Sequence, residues 1–211
     1  MSAPRLPIRV IVFDFDGTLV QSNQLKYYAY FSLFPDDPRT AGVIREVLAD
    51  CFEASRYEIL HFILEGLGMY GDLESEVAAL SQRYNQLVLA ATIACLEVDG
   101  AGASLAALAL RFPLYISSNT PEESLQEIIR ARGWAGYFKG IFGYPRQKDV
   151  TLREIMAQEQ VGPSEVLMVG DGHSDRQAAE YTGCDFIYVP PGASLPALLR
   201  QALGEQLAIS S

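Results

Sequence analysis

Short apolar runs, set apart by longer helical patterns, organise the hydrophobic map of this chain. Residues 8–13 (IRVIVF) are β-branched and apolar, the make-up of a strand buried on both faces of a parallel sheet. Residues 114–118 (LYISS), 166–169 (VLMV) and 186–189 (FIYV) repeat the pattern, and residues 140–142 are a weaker instance. Each run lies between helical patterns and is reached through a short loop. That alternation predicts an α/β protein with a doubly wound, Rossmann-like parallel sheet.

The spacing of the runs is uneven. About a hundred residues separate the first strand from the second, far more than one crossover helix requires. Most of that stretch has helical character. Residues 41–67 carry apolar positions at Val43, Val47, Leu48, Phe52, Leu60 and Leu64 and predict one long helix, and residues 73–96 are rich in Ala, Leu, Glu and Gln. Residues 34–39 (FPDDPR) supply a turn ahead of them. Tyr27, Tyr30, Phe31 and Phe34 share one face at helical spacing, which predicts packing between helices. Residues 20–98 are therefore expected to form an inserted helical domain, and residues 1–19 and 99–211 the α/β core. Gly100 and Gly102 mark the return hinge.

Composition agrees with this plan. The 211 residues suit one domain with a large insertion, and 49% hydrophobic against 20% charged residues is ample material for a core. Sixteen Lys and Arg face 26 Asp and Glu, a formal charge of -10, which disfavours a nonspecific grip on nucleic acid or anionic lipid. Cys51, Cys95 and Cys184 show no paired spacing and are expected to be buried thiols. The start of the chain carries two prolines and an apolar run broken at once by Asp14 and Asp16, so no secretory leader is expected. No apolar stretch reaches the length of a membrane span. A cytoplasmic monomer or homodimer is the expectation.

Chemistry concentrates at the ends of the apolar runs. After the first comes Asp14-Phe15-Asp16-Gly17-Thr18-Leu19. On an extended backbone residues i and i+2 face one side, so the two carboxylates can converge at the strand's carboxyl end, where open α/β sheets place ligands. Gly17 permits a sharp turn beyond them. With this DxDGT run the chain resembles the haloacid dehalogenase-like superfamily of phosphotransfer hydrolases. The superfamily's other motifs follow in order: Ser118-Asn119 at the end of the second apolar run, Lys148 before a helical pattern, and Gly170-Asp171 through Asp175 after VLMV. The resemblance covers residues 8–189.

It implies a phosphatase. Asp14 would be the nucleophile that becomes an aspartyl-phosphate, and Asp16 the acid that protonates the leaving oxygen and then activates water. Mg²⁺ favours hard oxygen ligands, which the resemblance places on Asp14, the Asp16 carbonyl and Asp171, with Asp175 a further ligand or its neighbour. Lys148 would hold Asp14 and the phosphoryl group together, and Ser118 and Asn119 would hydrogen-bond phosphate oxygens. An acid at position 16 argues against dehalogenation, because a halide leaves without a proton. Thr120-Pro121-Glu122-Glu123 has the pattern of a capped helix start, with Thr120 as the cap.

In the resembling family a helical insertion closes over the site and selects the substrate. Ser55-Arg56-Tyr57 looks like an insertion segment of its sugar-phosphate and phosphoglycolate phosphatases, which makes Arg56 the candidate for substrate contact. Lys26 and Arg45 are read as solvated, and His61 as packed within the insertion. The expected partner is a small phosphorylated metabolite, such as a sugar phosphate or phosphoglycolate. The alternatives are a phosphomutase of the β-phosphoglucomutase type and a noncatalytic binding protein on the same fold.

Overall fold

The computed structural model describes residues 7–51, 54–204 and 206. Phe52 and the first six residues, invoked above, lie outside them. The chain divides into two compact units, one formed by Met1–Gln21 with Leu96–Ser211 and the other by Ser22–Cys95.

The first unit begins with strand β1 (Val10–Phe13), every residue of which is buried. The helices α1 (Asn23–Phe31), α2 (Pro38–Cys51), α3 (Arg56–Gly66) and α4 (Leu73–Ala94) make up the second unit. The chain then returns through α5 (Ala101–Leu108), β2 (Leu114–Pro121), α6 (Glu122–Ala131), β3 (Gly140–Tyr144) and α7 (Lys148–Glu159). It ends with β4 (Val166–Gly170), α8 (His173–Thr182), β5 (Asp185–Tyr188) and α9 (Leu195–Leu203).

The five strands form one parallel sheet in the order β3-β2-β1-β4-β5. β1 is central, with Phe13 opposite Ile116 of β2 on one side and Val169 of β4 on the other. The chain steps outward from β1 in both directions, and such a switch point opens a crevice at the strands' carboxyl ends. Val10 and Val12 of β1 pack with Leu152 and Ile155 of α7 and with Ala178 and Ala179 of α8. Ile11 and Phe13 turn to the other face by the two-residue period of a strand.

The pairing of β2 with β3 is interrupted. Ser117 pairs with Phe142, and the next pair is Pro121 with Tyr144. Three β2 residues, Ser118, Asn119 and Thr120, therefore stand opposite the lone Gly143. This bulge lifts them out of the ladder at the end of the strand, the usual place and effect of such an irregularity.

In the helical unit the expected single helix over residues 41–67 is two helices. α2 stops at Cys51, and Ser55 starts α3 with a capping box: Ser55 Oγ accepts from the Glu58 N–H at 3.3 Å, and Glu58 Oε2 accepts from the Ser55 N–H at 2.9 Å. Two orphan amides are thereby satisfied, which favours a fresh helix start over continuation. The four helices enclose a core that includes Tyr30, Ile44, Leu48, Leu60, Ile63 and Tyr84, with Tyr27, Phe31 and Phe34 packed at its margin. The aromatic stripe is thus a packing face, while Tyr28 points outward. His61 does not pack inside as expected; it is half-exposed, 3.3 Å from Glu65 one turn along α3. The three cysteines are free and only partly buried. Among the described residues no helix is long and apolar enough to cross a membrane.

Candidate active site

Asp14 follows β1 directly, its N–H bonded to the Val169 carbonyl at 2.8 Å, so the carboxylate emerges at the end of the central strand. Lys148 opens α7. Its Nζ donates to Asp14 Oδ1 at 3.0 Å and also to Asp175 Oδ1. Asp175 lies in the first turn of α8, and its second oxygen accepts from the Gly172 N–H at 3.1 Å. Asp14, Lys148 and Asp175 are all buried. They come from three strand ends, and the register of the sheet brings them together.

Asp16 and Asp171 are partly buried at the edge of this group. Thr120 Oγ1 donates to Asp16 Oδ2 at 2.6 Å, and Thr18 Oγ1 donates to Asp171 Oδ1 at 3.1 Å. Gly17, between the two aspartates and Thr18, has a φ of 76°, a left-handed turn that glycine adopts without a steric cost. Ser118 is buried, and its Oγ accepts from the Thr120 N–H at 3.2 Å. Asn119 is partly buried in the same bulge. His173, by contrast, is exposed at the first position of α8.

Thr120 is not the helix cap that the sequence pattern suggested. Pro121 holds that position, and no side chain caps the start of α6. The bulge extends β2 through Pro121 and turns the Thr120 hydroxyl to Asp16. Thr18 was likewise given no role from sequence, although it stands within the DxDGT run. Arg56 belongs to the helical unit, where it is buried; its guanidinium donates to Asn85 Oδ1 and lies 4.8 Å from the centre of the Tyr84 ring. Arg45 covers the Phe31 ring at 5.7 Å.

The electrostatics are dominated by crowded negative charge. Burial, followed by the nearby Asp175 carboxylate, raises the Asp14 pKa well above 3.8; Asp171 and Asp16 add to the rise, and Lys148 opposes it. Burial alone would lower the Lys148 pKa, but Asp14 and Asp175 outweigh it and keep the ammonium charged. Lys148 thus stands between two of the four carboxylates, Asp14 and Asp175. One oxygen each from Asp14, Asp171 and Asp175 lie within 4.8 Å of one another, a hard-oxygen donor set suited to a small divalent ion, whose charge would relieve the crowding.

The class of protein is therefore a doubly wound α/β protein with an acidic, lysine-bearing centre at the carboxyl ends of its strands and a helical unit inserted after the first of them. The chain belongs to the haloacid dehalogenase-like hydrolase family, whose description matches residues 11–189. It is similar to the phosphoglycolate phosphatase of Thiobacillus denitrificans, 26% identical over 209 residues, which covers 89% of this chain and 85% of that protein. A phosphoglycolate phosphatase of Vibrio parahaemolyticus is 32% identical over 111 residues, 46% of this chain and 49% of that protein. The chain spans about half the length of that relative and 34% of one from Vibrio vulnificus. The fold is also that of a hydrolase of the same superfamily from Bacillus subtilis, solved with magnesium bound, with a TM-score of 0.70 at 20% identity over 94% of this chain and 99% of that one.

Proposed function

We propose that the protein is a Mg²⁺-dependent phosphatase that hydrolyses a small phosphorylated metabolite, a sugar phosphate or a phosphoglycolate-like acid, through an aspartyl-phosphate on Asp14. The observation that carries this reading is the shared hold of Lys148 on Asp14 and Asp175 beside Asp171. The similarity to phosphoglycolate phosphatases supports the substrate class.

Phosphate monoesters resist attack because their oxygens repel a nucleophile, so charge neutralisation is the main catalytic task. Asp14 and Asp171, with the Asp16 carbonyl, would hold the ion, which supplies positive charge against the phosphoryl oxygens. Asp175 already accepts hydrogen bonds on both oxygens; its part is to hold Lys148 against Asp14. Lys148 offsets the phosphoryl charge from the side of α7, and the Ser118 hydroxyl and Asn119 amide bind phosphate oxygens at the bulge. Asp14 attacks phosphorus while Asp16 gives its proton to the departing oxygen. Asp16 then takes a proton from the water that cleaves the aspartyl-phosphate, which returns both carboxyl groups to their starting state. Arg56 is assigned to an acidic group of the substrate on the resemblance of Ser55-Arg56-Tyr57 to the insertion segment of phosphoglycolate phosphatases.

The test is phosphate release from a panel of phosphorylated metabolites and from p-nitrophenyl phosphate, with Mg²⁺ and with chelator. One preferred small substrate, dependence on Mg²⁺ and loss of turnover in Asp14→Asn are expected. Release that persists in Asp14→Asn overturns the nucleophile, and an isomerised sugar phosphate formed without free phosphate when a bisphosphorylated sugar is supplied identifies a mutase instead.

A further inference from the structure

We infer that Thr120 is a positioning residue for the acid–base step: its hydroxyl holds the Asp16 carboxyl through Oδ2 and fixes the orientation in which Asp16 meets the leaving oxygen. This rests on the phosphatase reading above and adds a residue to it. Thr120 is buried, and its Oγ1 lies 2.6 Å from Asp16 Oδ2. When Asp16 is ionised, the hydroxyl must be the donor, because a carboxylate only accepts. A hydrogen bond to a charged acceptor in a partly buried place is short and strong.

The backbone fixes this contact. Thr120 is in the bulge between Ser117 and Pro121, and its own N–H is bonded to Ser118 Oγ at 3.2 Å. Behind it the chain is pressed against β3. A Cβ on Gly143 would come within 2.5 Å of both the Thr120 carbonyl oxygen and Glu122 Cα, and the Gly143 N–H donates to Glu122 Oε2 at 3.2 Å. The stretch that carries Thr120 is thus pinned on both sides, and its side chain is aimed by the sheet. Ser118 and Thr120 divide two tasks in one bulge: the first faces the phosphate, the second orients the acid.

A general acid matters in proportion to how poor the leaving group is, and that gives a readout that a packing role would not move. Phenyl phosphate and p-nitrophenyl phosphate match in shape, but phenoxide needs a proton far more than nitrophenoxide does. The measured quantity is kcat/KM, which reports the first phosphoryl transfer. Thr120→Val keeps the shape and loses the hydroxyl. It should lower kcat/KM for phenyl phosphate about tenfold or more while changing that for p-nitrophenyl phosphate by no more than about threefold. Thr120→Ser should restore both to within about threefold of the native protein. Thr120→Cys, a weak donor of similar volume, should fall between the two on phenyl phosphate and serves in place of the valine variant if that one does not fold. Equal losses on both substrates, no loss on either, or no rescue by serine overturns the positioning role. If the native protein releases phosphate from neither ester nor any metabolite of the panel, the phosphatase reading fails, and this inference fails with it; if it cleaves metabolites alone, the same comparison is made between two of them whose leaving groups differ in pKa.

Discussion

The Asp175 carboxyl occupies the space that Gly170 leaves by having no side chain: a Cβ built on Gly170 would overlap the Asp175 Cγ and Oδ2. From that place Asp175 reaches Lys148 with one oxygen and the Gly172 N–H with the other. Gly170→Ala must therefore push Asp175 away and release Lys148 from one of its two carboxylates. Loss of such a supporting contact typically costs 10–100-fold, so phosphate release at saturating Mg²⁺ should fall by about tenfold or more in a variant whose circular dichroism is unchanged. Native turnover in that variant would show that Asp175 need not sit where it does.

Ser55 carries the break between α2 and α3. Replacing it with Ala removes the acceptor for the Glu58 N–H, and such caps contribute about 1 kcal/mol, equivalent to about 2–4 °C in Tm for a protein of this size. Thr at the same position should retain most of that stability. A melting curve unchanged by Ser55→Ala would mean that packing alone stops α2 and starts α3.

Glu159 gives a pH-dependent prediction away from the site. Although burial pushes its pKa up, hydrogen bonds from Lys139 at 2.6 Å and from the buried Tyr115 hydroxyl outweigh this and hold it below 4.5. A carboxyl with a depressed folded-state pKa stabilises above its unfolded value and loses that stabilisation as the pH falls through the folded one. Glu159→Gln should therefore lower the urea midpoint at neutral pH, and the gap to the native protein should narrow in acid below about pH 4. A gap independent of pH would remove the charge from the explanation.

These residues also show what was legible in the sequence. Asp14 and Asp171 were visible because each follows an apolar run, and a strand end is a local property; Lys148 was found through the family resemblance, as the basic residue ahead of a helical pattern. Thr120 was misread because Thr-Pro-Glu-Glu satisfies the pattern of a capped helix, while its actual role depends on how β3 pairs with β2. The bulge is fixed by Phe142, Gly143 and Tyr144, residues that a reading of 118–123 does not contain. The long-helix expectation failed for a different reason. Apolar spacing runs on through α2 and α3 and drowned the Ser55–Glu58 box, which was present in the sequence. His61 was expected inside the insertion, but it is half-exposed beside Glu65, four residues on. The central position of β1 was likewise beyond local patterns, since crossovers decide strand order.

The two ends of the inserted helices leave and re-enter the sheet-bearing unit side by side. The Gln21 N–H bonds the Leu96 carbonyl at 2.8 Å, the Val98 N–H bonds the Leu19 carbonyl at 3.0 Å, and Val20 pairs with Glu97. This short antiparallel clasp closes the loop before the helices are counted, and closure entropy grows only with the logarithm of what lies between. The clasp thus makes Ser22–Cys95 an insert whose two ends are joined within the sheet-bearing unit itself, so the strand ends that carry Asp14 keep their scaffold whatever length of chain is spliced between them.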